Sequence, residues 1–289
     1  MWLIAFFQAT AWAWVVVAVC LGLIIGSFLN VVIHRLPIML EREWREHCAE
    51  LNGTTAATGE PYNLVVPRSR CPHCSHLIHA LDNIPLLSFL WLRGRCRHCA
   101  ARISPRYPSV ELISGLLSGW LAWHFGFTWA AGGALLLTWA LLALAVIDFD
   151  TQLLPDKITL PFLWLGLIFN LGHTFTDLRS AIIGALAGYL SLWCIYQIFK
   201  LITGKEGMGH GDFKLYAMLG AWLGWQRLPL IILIAAASGA IVGIGLIATR
   251  RSQRGKPIPF GPYLTVAGWI ALVWGPEITR AYFSLWGVA

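Results

Sequence analysis

Gly207-Met208-Gly209-His210-Gly211-Asp212-Phe213-Lys214 places three glycines at alternate positions ahead of an aspartate, and an apolar run follows. Glycine is costly inside a helix and serves where the backbone turns or is closely approached. A carboxylate beside an apolar span is also costly, and it marks function. The stretch reads as a loop that delivers Asp212 to the edge of a bilayer, where a lone acid has few uses. The other acidic cluster at the inner end of a span is Asp148, Asp150 and Asp156. Asp148 directly follows the apolar run Trp129–Ile147, and Asp150 would point to a different face of a continuing helix. Asp148 is therefore the expected partner of Asp212. Asp150 is expected to be solvated, and Asp156 to cap the helix that follows it.

Working outward, 57% of the 289 residues are hydrophobic, 12% are charged, and the mean hydropathy is +0.66. A soluble domain carries about a quarter charged residues. The composition implies an all-α polytopic membrane protein. Apolar segments of roughly 17–25 residues, shorter where a helix is tilted or buried, read as spans. They fall near 11–33, 109–126, 128–147, 158–174, 179–200, 213–225, 228–249 and 262–286, eight in all. The sixth is short. No repeat or low-complexity tract is present.

Lysine and arginine orient the spans. Residues 1–34 contain neither, so the first span lacks the basic head of a signal peptide and enters with its N-terminus outside. Segment 34–108 holds ten arginines, and 148–157, 200–214 and 250–260 hold one, three and four basic residues. Eight crossings thus place 18 of 21 basic residues inside, leaving Arg179, Arg227 and Arg280 outside, with both termini on the outer side. Seven would mix the sides. The net charge of +7 is then a topology signal with attraction to anionic lipid as a by-product, and it does not point to nucleic acid.

The first span ends in Gly26-Ser27-Phe28-Leu29-Asn30-Val31-Val32-Ile33-His34-Arg35-Leu36-Pro37. Its small residues suit close helix packing, Asn30 needs a partner, and Pro37 is expected to end the helix. Glu41–Glu46 reads as a short surface helix stopped by Asn52-Gly53. Cys71-Pro72-His73-Cys74 and Cys96-Arg97-His98-Cys99 form two CxxC pairs, whose spacing fits a tetrahedral four-cysteine zinc site. Paired disulfides are the alternative, against which the arginine-rich and hence cytosolic loop argues. Four thiolates leave no position open, so the metal would be structural. His73, His76, His79 and His98 are candidate substitute ligands or bystanders. Cys20, Cys48 and Cys194 have no partner by spacing. Glu111, expected in the first turn of the second span, suits either the helix dipole or a binding role. The run Arg250–Lys256 is an ordinary basic loop, and Pro257–Pro262 bends the chain into the last span. Three parts result: 1–37, a first transmembrane helix; 38–107, a cytosolic zinc-knuckle loop; 108–289, a transmembrane core.

Two carboxylates close together in a low-dielectric site do not both ionise easily. The charged one can draw a proton from water while the neutral one donates to a carbonyl, as in aspartic proteases. Spacing alone leaves open that both acids cap helices or contact Lys214 and Lys157. A proton-coupled transporter would put its acids near the midplane in paired halves of the sequence. A scaffold docking a cytosolic partner through the cysteine loop would leave both acids dispensable.

GMGHGDFK resembles the GxGD motif of membrane-embedded aspartyl proteases. With GSFLNVVIHRLP, the two CxxC pairs, PRYPSVEL and IDFDTQLLPD in that order, the chain resembles the bacterial type IV prepilin peptidases. The resemblance runs over about residues 18–265 and implies that Asp148 and Asp212 are the catalytic pair. It implies cleavage of the basic leader of prepilins or type II secretion pseudopilins at the cytoplasmic face of the bacterial inner membrane. It implies, further, methylation of the new N-terminal residue with S-adenosylmethionine, an activity to which the cysteine loop and the position of Gly94 are tied. No Gly-rich strand-to-helix fingerprint of a nucleotide fold is present, so the methyl transfer rests on the resemblance alone.

Overall fold

The structure, a computed structural model, describes residues 2–54, 61–249 and 259–285. The basic loop Arg250–Lys256 and the first part of the bend Pro257–Pro262 lie outside the described residues. The chain divides into two compact units, residues 1–127 and 128–289. Among the described residues there are helices and two isolated β-bridges, and no strands. Among the described residues, four helices are long and apolar enough to cross a membrane, within 11–51, 129–151, 178–203 and 225–248.

In the first unit, α1 (Trp2–Ala9) precedes α2 (Ala11–Leu51), a single helix of 41 residues. At 1.5 Å per residue it is about 60 Å long, twice a bilayer's hydrocarbon thickness, so its charged second half lies beyond the lipid tails. Pro37 sits inside it and does not end it, contrary to the sequence expectation. The lost hydrogen bond is tolerated because Ile33, Leu36 and Leu40 are buried on both sides of the proline. Glu41–Glu46 is accordingly the end of this helix and not a separate one, with Arg45 bonded to Glu41 one turn back (2.5 Å). Asn52 caps it and Gly53 turns left-handed, as expected.

After a 3-10 turn at Ala80–Asn83 and the short α3 (Leu87–Trp91), α4 (Arg106–Phe125) returns along α2. Glycine and serine make the close contact. A Cβ on Gly26 would stand 2.8 Å from the Cα of Glu111, and Ser114 Oγ donates to the Gly22 carbonyl (2.6 Å). The amide of Asn30 finds its partner in the Tyr107 carbonyl (3.0 Å).

The second unit holds α5 (Trp129–Thr151), α6 (Asp156–Leu171), α7 (Leu178–Thr203), α8 (His210–Leu223), α9 (Leu228–Ala248) and α10 (Gly261–Leu285). The short α8 is its centre, packed against α6, α7, α9 and α10. At about 21 Å it is shorter than the hydrocarbon layer. It is buried on every face, with Phe213, Leu215, Met218, Leu219, Ala221 and Trp222 inaccessible. Small residues let α7 reach it, since a Cβ on Gly188 would be 2.7 Å from the Tyr216 carbonyl oxygen. Polar groups pin its far end. Asn170 Nδ2 donates to the carbonyls of Ala221 and Trp222 (2.9 Å each), and Asn170 Oδ1 accepts from Phe175 and Thr176. Tyr216 donates to the Leu228 carbonyl (2.6 Å). By contrast α9 leaves Ile241, Ile244 and Ile247 exposed, a stripe suited to lipid.

Candidate functional site

Two of the three glycines ahead of Asp212 answer a local steric demand. A Cβ on Gly207 would be 2.7 Å from the Phe199 ring, and one on Gly211 would be 2.8 Å from Leu154 Cβ. Gly209 is the N-cap of α8, which puts Asp212 at the third helical position. From there its side chain reaches back and accepts from the backbone of Gly209, the geometry of a capping box. Asp212 is buried.

Asp148 arrives from another helix. It lies in the last turn of α5, which Gln152 ends in a left-handed conformation. Asp148 is buried and accepts from the N–H of Gly261 at the start of α10 (3.0 Å). A Cβ on Gly261 would come 2.6 Å from Asp148 Oδ2, so only glycine lets that N–H approach. Leu154 fills the space beside both Gly211 and Gly261. The two carboxyls are close enough for the charge of Asp148 to act on Asp212.

The neighbouring acids sort differently from one another. Asp150 is exposed, as expected. Asp156 is not the helix cap assigned from its position: Pro155 holds that place, and Asp156 is the first helical residue. Its carboxylate instead pairs with Lys214 Nζ (2.6 Å), tying the start of α6 to the first turns of α8. The Gly261 contact and the Lys214 pair were not found from sequence. Gly-Pro at the mouth of the last span was the available signal for the first, whereas nothing local marks the second.

The two CxxC pairs fold as matching knuckles in the first unit. The Cys71 N–H donates to His76 O and Ser75 N–H to Cys71 O (2.9 Å each); Cys96 N–H donates to Ala101 O (2.8 Å) and Ala100 N–H to Cys96 O (3.0 Å). Ser75 and Ala100 are both left-handed, and one bridge closes each knuckle, Arg70 with Leu77 and Arg95 with Arg102. All four sulfurs lie within 4.8 Å of one another. Cys71 and Cys99 are 3.8 Å apart, far beyond a disulfide and equal to the edge of a tetrahedron, about 3.8 Å, that four sulfurs make around zinc. Backbone N–H groups of Cys74 and His73 lower the Cys71 thiol to about 6, whereas burial and the three neighbouring sulfurs push Cys99 up to about 11, as crowded thiols do when no cation shares their charge. The donor set therefore fits a closed, four-coordinate metal. Cys20, Cys48 and Cys194 are free and exposed.

Glu111 sits in the second turn of α4, since that helix begins at Arg106 and not at the membrane edge. It is buried, accepts from the N–H of Leu86 (2.9 Å) and bonds Ser27, so it fastens the cysteine loop to α2 and α4. Gly94 adopts a left-handed turn before the second knuckle, where a Cβ would be 3.0 Å from the Phe89 ring. No strand lies among the described residues, so they contain no strand-to-helix cradle of a nucleotide fold.

Comparison with known proteins divides the chain much as its contacts do. Residues 20–125 match the model of the bacterial peptidase A24 N-terminal domain, and 135–244 match that of the type IV leader peptidase family. A prepilin leader peptidase/N-methyltransferase of Stutzerimonas stutzeri is 57% identical over 282 residues, covering 97% of this chain and 98% of that protein. One of Aeromonas hydrophila is 60% identical over 275 residues, covering 94% and 95%. One of Pseudomonas aeruginosa is 57% identical over 276 residues, covering 95% of each. No solved structure matches the chain.

Proposed function

We propose, because the chain belongs to the type IV leader peptidase family, that it is the membrane endopeptidase that removes prepilin leaders, with Asp148 and Asp212 as its catalytic pair. The observation that carries the assignment is the meeting of two buried acids from different helices within electrostatic reach. Such a pair holds one proton between its members. The charged carboxylate takes a proton from water, whose oxygen bonds to the scissile carbonyl carbon as the neutral partner protonates the carbonyl oxygen. When the resulting diol collapses, the C–N bond breaks. The leaving amine receives the proton taken from water, and the diol returns one to the other acid. Gly261 N–H holds Asp148 in place during this exchange, and Gly209 holds Asp212.

The relatives' name carries a second activity, methylation of the amine that cleavage exposes. S-adenosylmethionine would supply the methyl group, and Gly94 is the position we associate with that step. The substrates are prepilins or type II secretion pseudopilins. Zn2+ held by Cys71, Cys74, Cys96 and Cys99 would cross-link the two knuckles and order the loop. The arginine and lysine distribution supports eight spans in the inner membrane, both termini periplasmic, and the acids at the cytosolic face. Incubation of the purified protein with a prepilin and S-adenosylmethionine, followed by mass analysis of the product, tests both activities. The expected product lacks its leader and is heavier by one methyl group at the new N-terminus. An intact prepilin would overturn the peptidase, and a shortened unmethylated one would overturn the transferase.

A further inference from the structure

The knuckle loop carries a second group of metal-binding side chains that the cysteines leave unused. His76 and His79 follow the first knuckle, and His98 lies within the second. Pairing of the knuckles lays the His98 ring over that of His76, with centroids 3.4 Å apart, and brings His79 to 6.2 Å from His76. The ligand nitrogens of all three lie within 4.8 Å of one another. Three nitrogens bound to zinc at about 2.0–2.1 Å would stand roughly 3.4 Å apart. All three side chains are exposed, so the His76 and His98 rings can swing out of their overlap by changing rotamer, turning their nitrogens toward one point without displacing packed neighbours. The acid on the adjacent 3-10 turn, Asp82, is engaged by Arg97 through Nε (3.0 Å) and Nη2 (2.5 Å). The imidazoles therefore converge without a carboxylate among them, which is a donor set for a borderline divalent cation and not for calcium or magnesium.

We infer that His76, His79 and His98 form a second metal site, which takes one Zn2+ or similar divalent transition-metal ion. Unlike the four-thiolate site, it supplies three ligands and leaves a fourth position to water. It draws from both knuckles and so forms a second cross-link across the loop. The site is independent of the peptidase assignment, and neither depends on the other.

His79 is the suitable residue to change. It is the N-cap of the 3-10 turn but makes no capping bond there, and it lies outside both CxxC pairs. The full-length protein, free of a histidine tag, is equilibrated with Zn2+ in detergent, freed of excess metal and analysed for zinc per chain. In parallel, the reactivity of its cysteines toward a thiol reagent is measured. His79→Ala and His76→Ala are each expected to hold one zinc fewer than the parent, with cysteine protection unchanged. Equal zinc content in parent and variants would overturn the site. Loss of zinc accompanied by newly reactive cysteines would overturn it too, because the histidines would then serve the cysteine-bound metal.

Discussion

At Gly261 a single hydrogen atom in place of a methyl group decides whether Asp148 can be held. Gly261→Ala would put its Cβ 2.6 Å from Asp148 Oδ2 and push the carboxyl away from its N–H donor. A displacement of about 1 Å costs a catalytic group on the order of 100-fold in rate. Leader cleavage by Gly261→Ala is expected to fall by about that factor, read from the initial rate on a prepilin, with unchanged gel-filtration behaviour. Lys214 stands in contrast. Its pair with Asp156 is partly solvated, and such pairs contribute about 0–1 kcal/mol. Lys214→Met is expected to leave thermal stability within about 1 kcal/mol of the parent, measured by unfolding in detergent. Asp148 and Asp212 were legible as residues because acids are rare beside apolar runs. The role of Asp156 was not, because Asp156 pairs with a lysine distant in sequence and Pro155 already occupies the cap.

On the scale of elements, α8 is held by contacts that a hydropathy reading passes over. Its length suggested an uncertain span, whereas burial on every face explains how so short a helix sits among longer ones. Asn170 satisfies two carbonyls at the end of α8 and the N–H groups of Phe175 and Thr176 in the turn after α6. Asn170→Leu would leave these buried groups unpaired, each at about 1–3 kcal/mol. A loss of several kcal/mol is expected in denaturant unfolding, and an unchanged midpoint would count against the role given to this amide. Pro37 shows the opposite limit of local rules. Proline disfavours a helix interior by about 3 kcal/mol, yet buried apolar residues on both sides carry α2 through it. The glycines spaced by four in α2, α4 and α7 were present in the sequence as a packing signal, and only Gly26 was read as one.

Taken whole, the molecule is two units, the first carrying the four knuckle cysteines and the second Asp148 and Asp212. Composition and the basic residues made its membrane character and helical class legible, and knuckle spacing did the same for the thiol cluster. The packing of α4 on α2 through a Gly and Ser stripe is a contact that hydropathy does not mark. Cys71→Ser would remove one of four ligands from the knuckles. It is expected to release zinc and to make the loop between residues 68 and 105 sensitive to protease, read by metal analysis and limited digestion. The central claim is that Asp148 and Asp212 act together on one peptide bond. Its most direct test is leader removal by Asp148→Asn and Asp212→Asn, each compared with the parent on the same prepilin under conditions where all three remain folded. Each variant alone is expected to lose cleavage entirely, and the double variant to be no worse than either. Complete processing by one of them would mean that the bond is cut by other groups.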